Sequence, residues 1–219
     1  MQTELLQQQA RCIAHEIRNQ ISVCDVYCEI IKKHLEKENV ENESINKALN
    51  CIQKSAKLIN NSLIDLKSID NIKPQVCSLK HIIEDCTNLA QVYINEKKVD
   101  IICNIKEDVS VYADENKLSA CIVNLIKNGI EAIEHKGEII ISTQVKDKTV
   151  RLSISNNGKP ITPAAQKDLF TEGFTTKKTG SGLGLFICKN NLQKQNADLK
   201  LIQSTPKKTE FEITIPVLD

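Results

Sequence analysis

Apolar side chains recur through the first third of the chain with the period of packed helices. Ile45, Leu49, Ile52, Ala56, Ile59, Leu63 and Leu66 are separated by alternating fours and threes, a heptad seam. Upstream, Ala10, Ile13, Ile17, Ile21, Cys24, Cys28, Ile31 and Leu35 follow nearly the same rule. Their one stutter, two successive fours at 13, 17 and 21, should locally unwind the seam. The polar stretch EKENVENE (36–43) predicts the turn between two helices. Two helices enclose no core alone, so the pattern predicts pairing with a second copy into a four-helix bundle.

Beyond Pro74 the pattern changes. SLKHIIEDCTNLAQVYIN (78–95) predicts a helix capped by Ser78, and VDIICNI (99–105) alternates like a strand. DENKLSACIVNLIKNGIEAIEH (114–135) predicts a helix capped by Asp114. GEIIISTQV and TVRLSISNN predict a hairpin; a glycine-rich loop, a helix over about 182–194 and the strands LKLIQS and TEFEITIP follow. The expected fold class is therefore α plus α+β. A helical-hairpin domain (1–72) is followed by an α/β layer (73–219), a sheet covered by helices on one face.

Composition narrows the function classes. In 219 residues, 41% hydrophobic and 26% charged positions are ordinary globular values. A net charge of +1 gives no strong pull toward nucleic acid or membrane surfaces. No apolar run is long enough to span a bilayer and no signal peptide is evident, so a soluble, cytoplasmic protein is expected. The nine cysteines contain no CxxC pair, and most occupy apolar positions. They read as small buried hydrophobes in a reducing compartment, with a zinc site or redox switch as the alternatives.

Three stretches could carry chemistry. In CIAHEIRNQIS, at about 100° per residue, His15 lies roughly 200° from Ile13 and Ile17, facing away from the seam. Glu16 adjoins it, and Asn19 follows one turn on. An exposed imidazole beside a carboxylate is a competent nucleophile, although an ordinary surface histidine looks the same. In NLIKNGIEA, Asn124 and Asn128 stand at i and i+4, lining a polar face suited to a metal-bound phosphate or merely to solvent. In FTTKKTGSGLGLFI, Gly180, Gly182 and Gly184 precede an apolar helix, with Lys177 and Lys178 supplying positive charge. Such a loop lets backbone N–H groups approach phosphates, aided by the helix dipole. It is neither a P-loop nor a Rossmann fingerprint.

The order of these elements resembles the transmitter region of sensor histidine kinases over nearly the whole chain. HEIRN is similar to the H box, NLIKNGIEA to the N box, NNGKPI to the G1 box, FTEGFTTK to the F box and GSGLGL to the G2 box. The resemblance implies a dimeric helical hairpin and a catalytic domain with the Bergerat-type α/β sandwich of the GHKL superfamily. It implies that His15 accepts the phosphoryl group, that Glu16 is the activating base, and that Asn128 ligates Mg²⁺. ATP would lie near Asn124 and Lys127, with Asn156 and Gly158 of the G1 box, Thr176 and Lys177 of the F box, and Ser181 and Leu183 of the G2 box. Phe170 and Phe174 would brace the lid, and Gly180, Gly182 and Gly184 would cradle the triphosphate. The implied partners are a second copy and a response-regulator receiver domain bearing the acceptor aspartate; no sensor domain is evident, so the chain is expected either to be a fragment or to receive its signal from a separate sensor protein. Asn19 stands where an amide would orient water for a reverse, phosphatase reaction.

Three positions depart from the family pattern. Asn156 replaces the aspartate that accepts a hydrogen bond from the adenine amino group; its amide oxygen can still accept, more weakly. Pro160 replaces the second glycine of the G1 box, and Gln20 stands where proline would bend the helix past the histidine. Reduced nucleotide affinity, relaxed adenine selectivity and a straighter helix are expected. Two other readings follow: a phosphotransfer or pseudokinase scaffold with weakened ATP binding, and a GHKL-type ATPase working by clamp closure.

Overall fold

In the computed structural model the described residues are 17, 20, 21, 23, 24, 26–38, 42–46, 48–50, 52, 53, 56, 72–94, 97–177 and 182–217. The chain divides into two compact units, Met1–Asp70 and Asn71–Asp219.

In the first unit, residues 26–37 are helical, as are 43–46 and 48–50. Within the polar turn stretch, Asn42 Oδ1 accepts hydrogen bonds from the N–H groups of Ser44 (3.0 Å) and Ile45 (3.1 Å), capping the second helical stretch. The two stretches are tied by Lys32 Nζ donating to Gln53 Oε1 (2.7 Å) and Gln53 Nε2 donating to Glu29 Oε1 (3.0 Å). Ile21 and Ala56 pack together in a small core. The seam is used unevenly. Ile21, Cys28, Leu49 and Ala56 are buried, whereas the intervening Ile17, Ile31, Ile45 and Ile52 are 37–48% exposed. Cys24 is exposed and Leu35 half-buried, and the other seam residues 10, 13, 59, 63 and 66 lie outside the described residues.

The second unit is a helix-on-sheet layer. Its strands are β1 (Gln75–Ser78), β2 (Lys98–Asn104), β3 (Ser110–Ala113), β4 (Lys136–Lys146), β5 (Thr149–Asn156), β6 (Asp198–Ser204) and β7 (Thr209–Pro216). Its helices, numbered in order, are α1 (Leu79–Ala90), α2 (Glu115–Ala132), α3 (Pro163–Asp168) and α4 (Gly184–Gln193). The main sheet runs β2-β4-β5-β7-β6, with β2 parallel to β4 and the other neighbours antiparallel. β1 and β3 form a separate antiparallel pair.

Alternation decides which sheet face is covered. Ile139 and Ile141, Val150, Leu152 and Ile154, and Phe211, Ile213 and Ile215 are buried, while intervening residues such as Arg151 and Glu212 are not. Leu79, Ile82, Ile83 and Cys86 of α1, and Leu118, Ile122, Leu125, Ile126 and Ile130 of α2, join these strands in one core. The β4–β5 turn, Asp147 and Lys148, has φ of 48° and 61°, the left-handed pair that suits a two-residue hairpin.

Both expected caps form. Ser78 accepts from His81 N, and Asp114 accepts from Lys117 N. Asp114 also accepts Lys73 N (2.8 Å), and its own N–H donates to Gln195 Oε1 (2.5 Å), linking the start of α2 to the segment after α4. No described helix is long and apolar enough to cross a membrane.

Candidate functional site

Helix α2 carries the polar face. Its buried side is Leu118, Cys121, Ile122, Leu125, Ile126, Gly129 and Ile130. At about 100° per residue, Asn124, Asn128 and Glu131 fall within roughly 60° of one another on the opposite side. Asn124 lies against the first turn of α4. Its Nδ2 donates to Cys188 Sγ (3.5 Å), and a Cβ on Gly184 would stand 3.0 Å from both Nδ2 and Oδ1 of the same amide. A side chain at position 184 would crowd this amide and oblige it to shift. The first turn of α4 has no side-chain cap after Leu183, so its N–H groups form a ready anion site.

One turn along, Asn128 Oδ1 accepts a hydrogen bond from Lys177 Nζ (2.7 Å), and Glu131 Oε2 pairs with the same ammonium. Two hard oxygens thus converge on one cation. Oxygen donors of that kind are chemically compatible with Mg²⁺ as well as with the ammonium they hold here. Lys127 turns elsewhere, its Nζ lying 5.3 Å from the centre of the Tyr93 ring.

The G1 turn closes the far end of α2. Asn156 Oδ1 accepts from Gly158 N (3.0 Å), and Lys159 N donates to Ala132 O (2.9 Å). Beside it on the sheet, Thr209 is the register partner of Asn156, and its Oγ1 lies 2.8 Å from Ser204 Oγ. Ser204 Oγ also accepts from Ile161 N (2.8 Å), holding the chain after the G1 turn against β6.

The lid segment leaves α3 through Phe170, half-buried on the core with Lys189 Nζ 5.1 Å from its ring centre. Phe174 is half-buried and Thr176 exposed. Gly182, at φ +70°, closes the segment against its start, since a Cβ there would lie 2.3 Å from Gly173 C. Two buried thiols of α1 and α2 are held in the protonated form. Burial pushes Cys86 up to about 12, and burial, then the neighbouring Cys188, pushes Cys121 well above its ordinary value. Among the seven described cysteines, Cys28, Cys86, Cys121 and Cys188 are buried, Cys77 is half-buried, and Cys24 and Cys103 are exposed.

This domain is related in sequence and fold to known proteins. The family model described as histidine kinase-, DNA gyrase B-, and HSP90-like ATPase matches residues 113–219. Residues 113–219 belong to that ATPase family. The chain as a whole is a homologue of sensor histidine kinases. It is 27% identical to sporulation kinase B of Bacillus subtilis over 94% of its length, and to the signal transduction histidine-protein kinase AtoS of Escherichia coli over the same share. It spans 49% and 34% of those two proteins, half or less of their length. Among solved structures, the catalytic domain of histidine kinase ThkA matches with a TM-score of 0.60 at 27% identity, over 66% of this chain and 95% of that one. The Acinetobacter baumannii histidine kinase AdeS shares the fold, with a TM-score of 0.62 over 94% of this chain and 98% of that one, at 19% identity.

Within the ATP-binding domain, the structure brings Asn124, Asn128, Lys177 and Gly184 together, and places Asn156 and Gly158 at the other end of α2. Lys127 and Phe170 instead engage Tyr93 and Lys189. His15, Glu16, Asn19, Gly180 and Ser181 lie outside the described residues. Sequence reasoning missed three contributors. Glu131 was signalled by its i+3 spacing from Asn128 on the same face. Cys188 and the Ser204–Thr209 hydroxyl pair had no local signal, because their partners are distant in sequence.

Proposed function

We propose that this protein is an ATP-dependent protein-histidine kinase of a two-component system, which phosphorylates its own His15 and then passes the phosphoryl group to an aspartate of a response-regulator receiver domain. The observation that carries the proposal is the cation held between Asn128 and Glu131, near the helix start of α4, which carries no side-chain cap bond. That arrangement suits a triphosphate whose charge must be neutralised from two sides. The G2 box residues Gly180, Ser181, Gly182, Leu183 and Gly184 would line the phosphates, and Thr176 and Lys177 would supply the lid's polar contacts.

In the reaction, Glu16 takes the imidazole proton, the His15 nitrogen forms a bond to the γ-phosphorus, and the bond to the ADP oxygen breaks. Positioning and charge neutralisation supply most of the acceleration. Asn128 Oδ1 and Glu131 would hold Mg²⁺, which when bound offsets phosphate charge. Asn19 would orient water for the reverse dephosphorylation of the partner.

Two copies pair through the first unit into a four-helix bundle. The support is the uneven seam: four isoleucines at heptad positions stay exposed within one chain. A second stripe, Val23, Val26, Tyr27 and Ile30, at i, i+3, i+4 and i+7, is also exposed and lies off the seam. It begins eight residues after His15 and supports docking of the receiver domain on that helix. A cytoplasmic setting completes the proposal.

The test is incubation with γ-labelled ATP and Mg²⁺. An acid-labile, base-stable phosphoryl adduct is expected, absent in His15→Gln and in Asn128→Ala. Nucleotide binding with no adduct would instead support an ATPase of the same superfamily. Neither binding nor adduct would support a phosphotransfer or pseudokinase scaffold.

A further inference from the structure

We propose that the base pocket of this site reads a 6-oxo group, so that 6-oxopurine triphosphates bind at least as tightly as ATP. The inference rests on the nucleotide-binding reading above and concerns only which base is selected. It begins from the orientation of one amide. Asn156 ends β5, and its Oδ1 accepts the Gly158 N–H at 3.0 Å. Only the oxygen can face that donor, because the NH₂ group has no lone pair to offer. Nδ2 is therefore turned to the other side. It lies toward α2, where a Cβ on Gly129 would be 3.4 Å away, and it has no acceptor among the described residues.

The consequence for base reading is a change of sign. A carboxylate held by the same N–H would present its second oxygen, an acceptor matched to a 6-amino group. The amide presents two N–H donors in that place. A 6-oxo oxygen completes them, whereas a 6-amino group sets donor against donor and must share the lone pairs of the engaged Oδ1. A pocket built to pair with one polar group discriminates strongly against its mismatch. An amide oxygen that substitutes for the carboxylate would have to serve the Gly158 N–H and the base with its two lone pairs at once.

The surroundings leave the donor available. Gly129 puts no side chain between α2 and the amide, and the neighbouring hydroxyls of Thr209 and Ser204 bond to each other and to Ile161 N. Neither hydroxyl is turned to Nδ2, so the exocyclic oxygen of the base is its natural acceptor.

Equilibrium binding of ATP and inosine triphosphate to the full chain with Mg²⁺ tests the proposal, because hypoxanthine isolates the 6-position. Inosine triphosphate should bind at least as tightly as ATP. Asn156→Asp, which keeps the shape of the side chain, should weaken inosine triphosphate at least tenfold relative to ATP. Tenfold or greater preference for ATP in the unaltered chain would overturn the inference while leaving the nucleotide site intact, as would an Asp variant with an unchanged ratio. Failure to bind either nucleotide would overturn both readings.

Discussion

Replacing Gly158 with alanine should break the junction between the N box and the G1 turn. The added Cβ would sit 2.6 Å from Ala132 C and O and 2.8 Å from Ile133 N. Comfortable carbon contacts lie near 3.5 Å, so the turn must retreat by roughly 1 Å. The obstructing atoms are main chain at the end of α2 and cannot rotate aside. Overpacking of this kind costs about 1–3 kcal/mol. The retreat also stretches the Lys159 N to Ala132 O hydrogen bond, now 2.9 Å, for about 1 kcal/mol more. With a urea slope of about 2 kcal/mol/M, the total of roughly 2–4 kcal/mol lowers the unfolding midpoint by about 1–2 M. Hydrogen exchange followed on α2 and β5 peptides through a urea series reads this unit by itself. Because Gly158 N–H also orients Asn156, nucleotide affinity should fall by about tenfold. A wild-type midpoint would refute the reasoning. So would rescue by Ala132→Gly, since main-chain atoms are common to both residues.

Other outcomes follow from the same contacts. Asp114→Ala removes the cap on Lys117 N and the acceptor of Lys73 N, and should cost about 2 kcal/mol in the same exchange experiment, whereas Asp114→Asn should retain most of it. The Ser78 hydroxyl, with the Lys80 N–H, holds Asp108 below the usual carboxylate range. A depressed carboxylate contributes stability above its unfolded value and loses it as pH falls through the folded one. Stability should therefore decline below about pH 4, and Asp108→Asn should flatten that part of the profile in pH-dependent thermal melts. Ile45→Glu with Ile52→Glu should yield monomers by light scattering while nucleotide binding persists; a dimer in the double variant would remove the seam from the assembly argument.

Much of the second unit was legible because its signals are local. Ser78 and Asp114 announce helix starts by residue type, and the alternation of Ile139, Ile141, Leu152 and Ile154 marks a sheet covered on one face. The four-residue strands β1 and β3 and the short helix α3 escaped, since such lengths carry no readable period. The parallel pairing of β2 with β4 escaped as well, because it depends on how α2 crosses between them. In the first unit the heptad spacing was plain. That Leu49 and Ala56 are buried while Ile45 and Ile52 are not is set by packing, which spacing does not encode. At the site, the identity of Asn156 was readable, but the direction of its amide depends on the Gly158 N–H and so on the turn itself.

Lys177 gives the proposed metal position a tenant of its own. Its ammonium already touches Asn128 Oδ1 and Glu131, the oxygens a divalent ion would take. On the proposed function, metal entry there would be an exchange of one cation for another, so the carboxylate of Glu131 would keep a positive partner throughout. The displaced ammonium stays leashed to the lid, within the few ångströms that a flexible four-carbon stem can sweep. Under the proposed function, loading a metal and freeing a lysine for an incoming phosphate would be halves of a single trade.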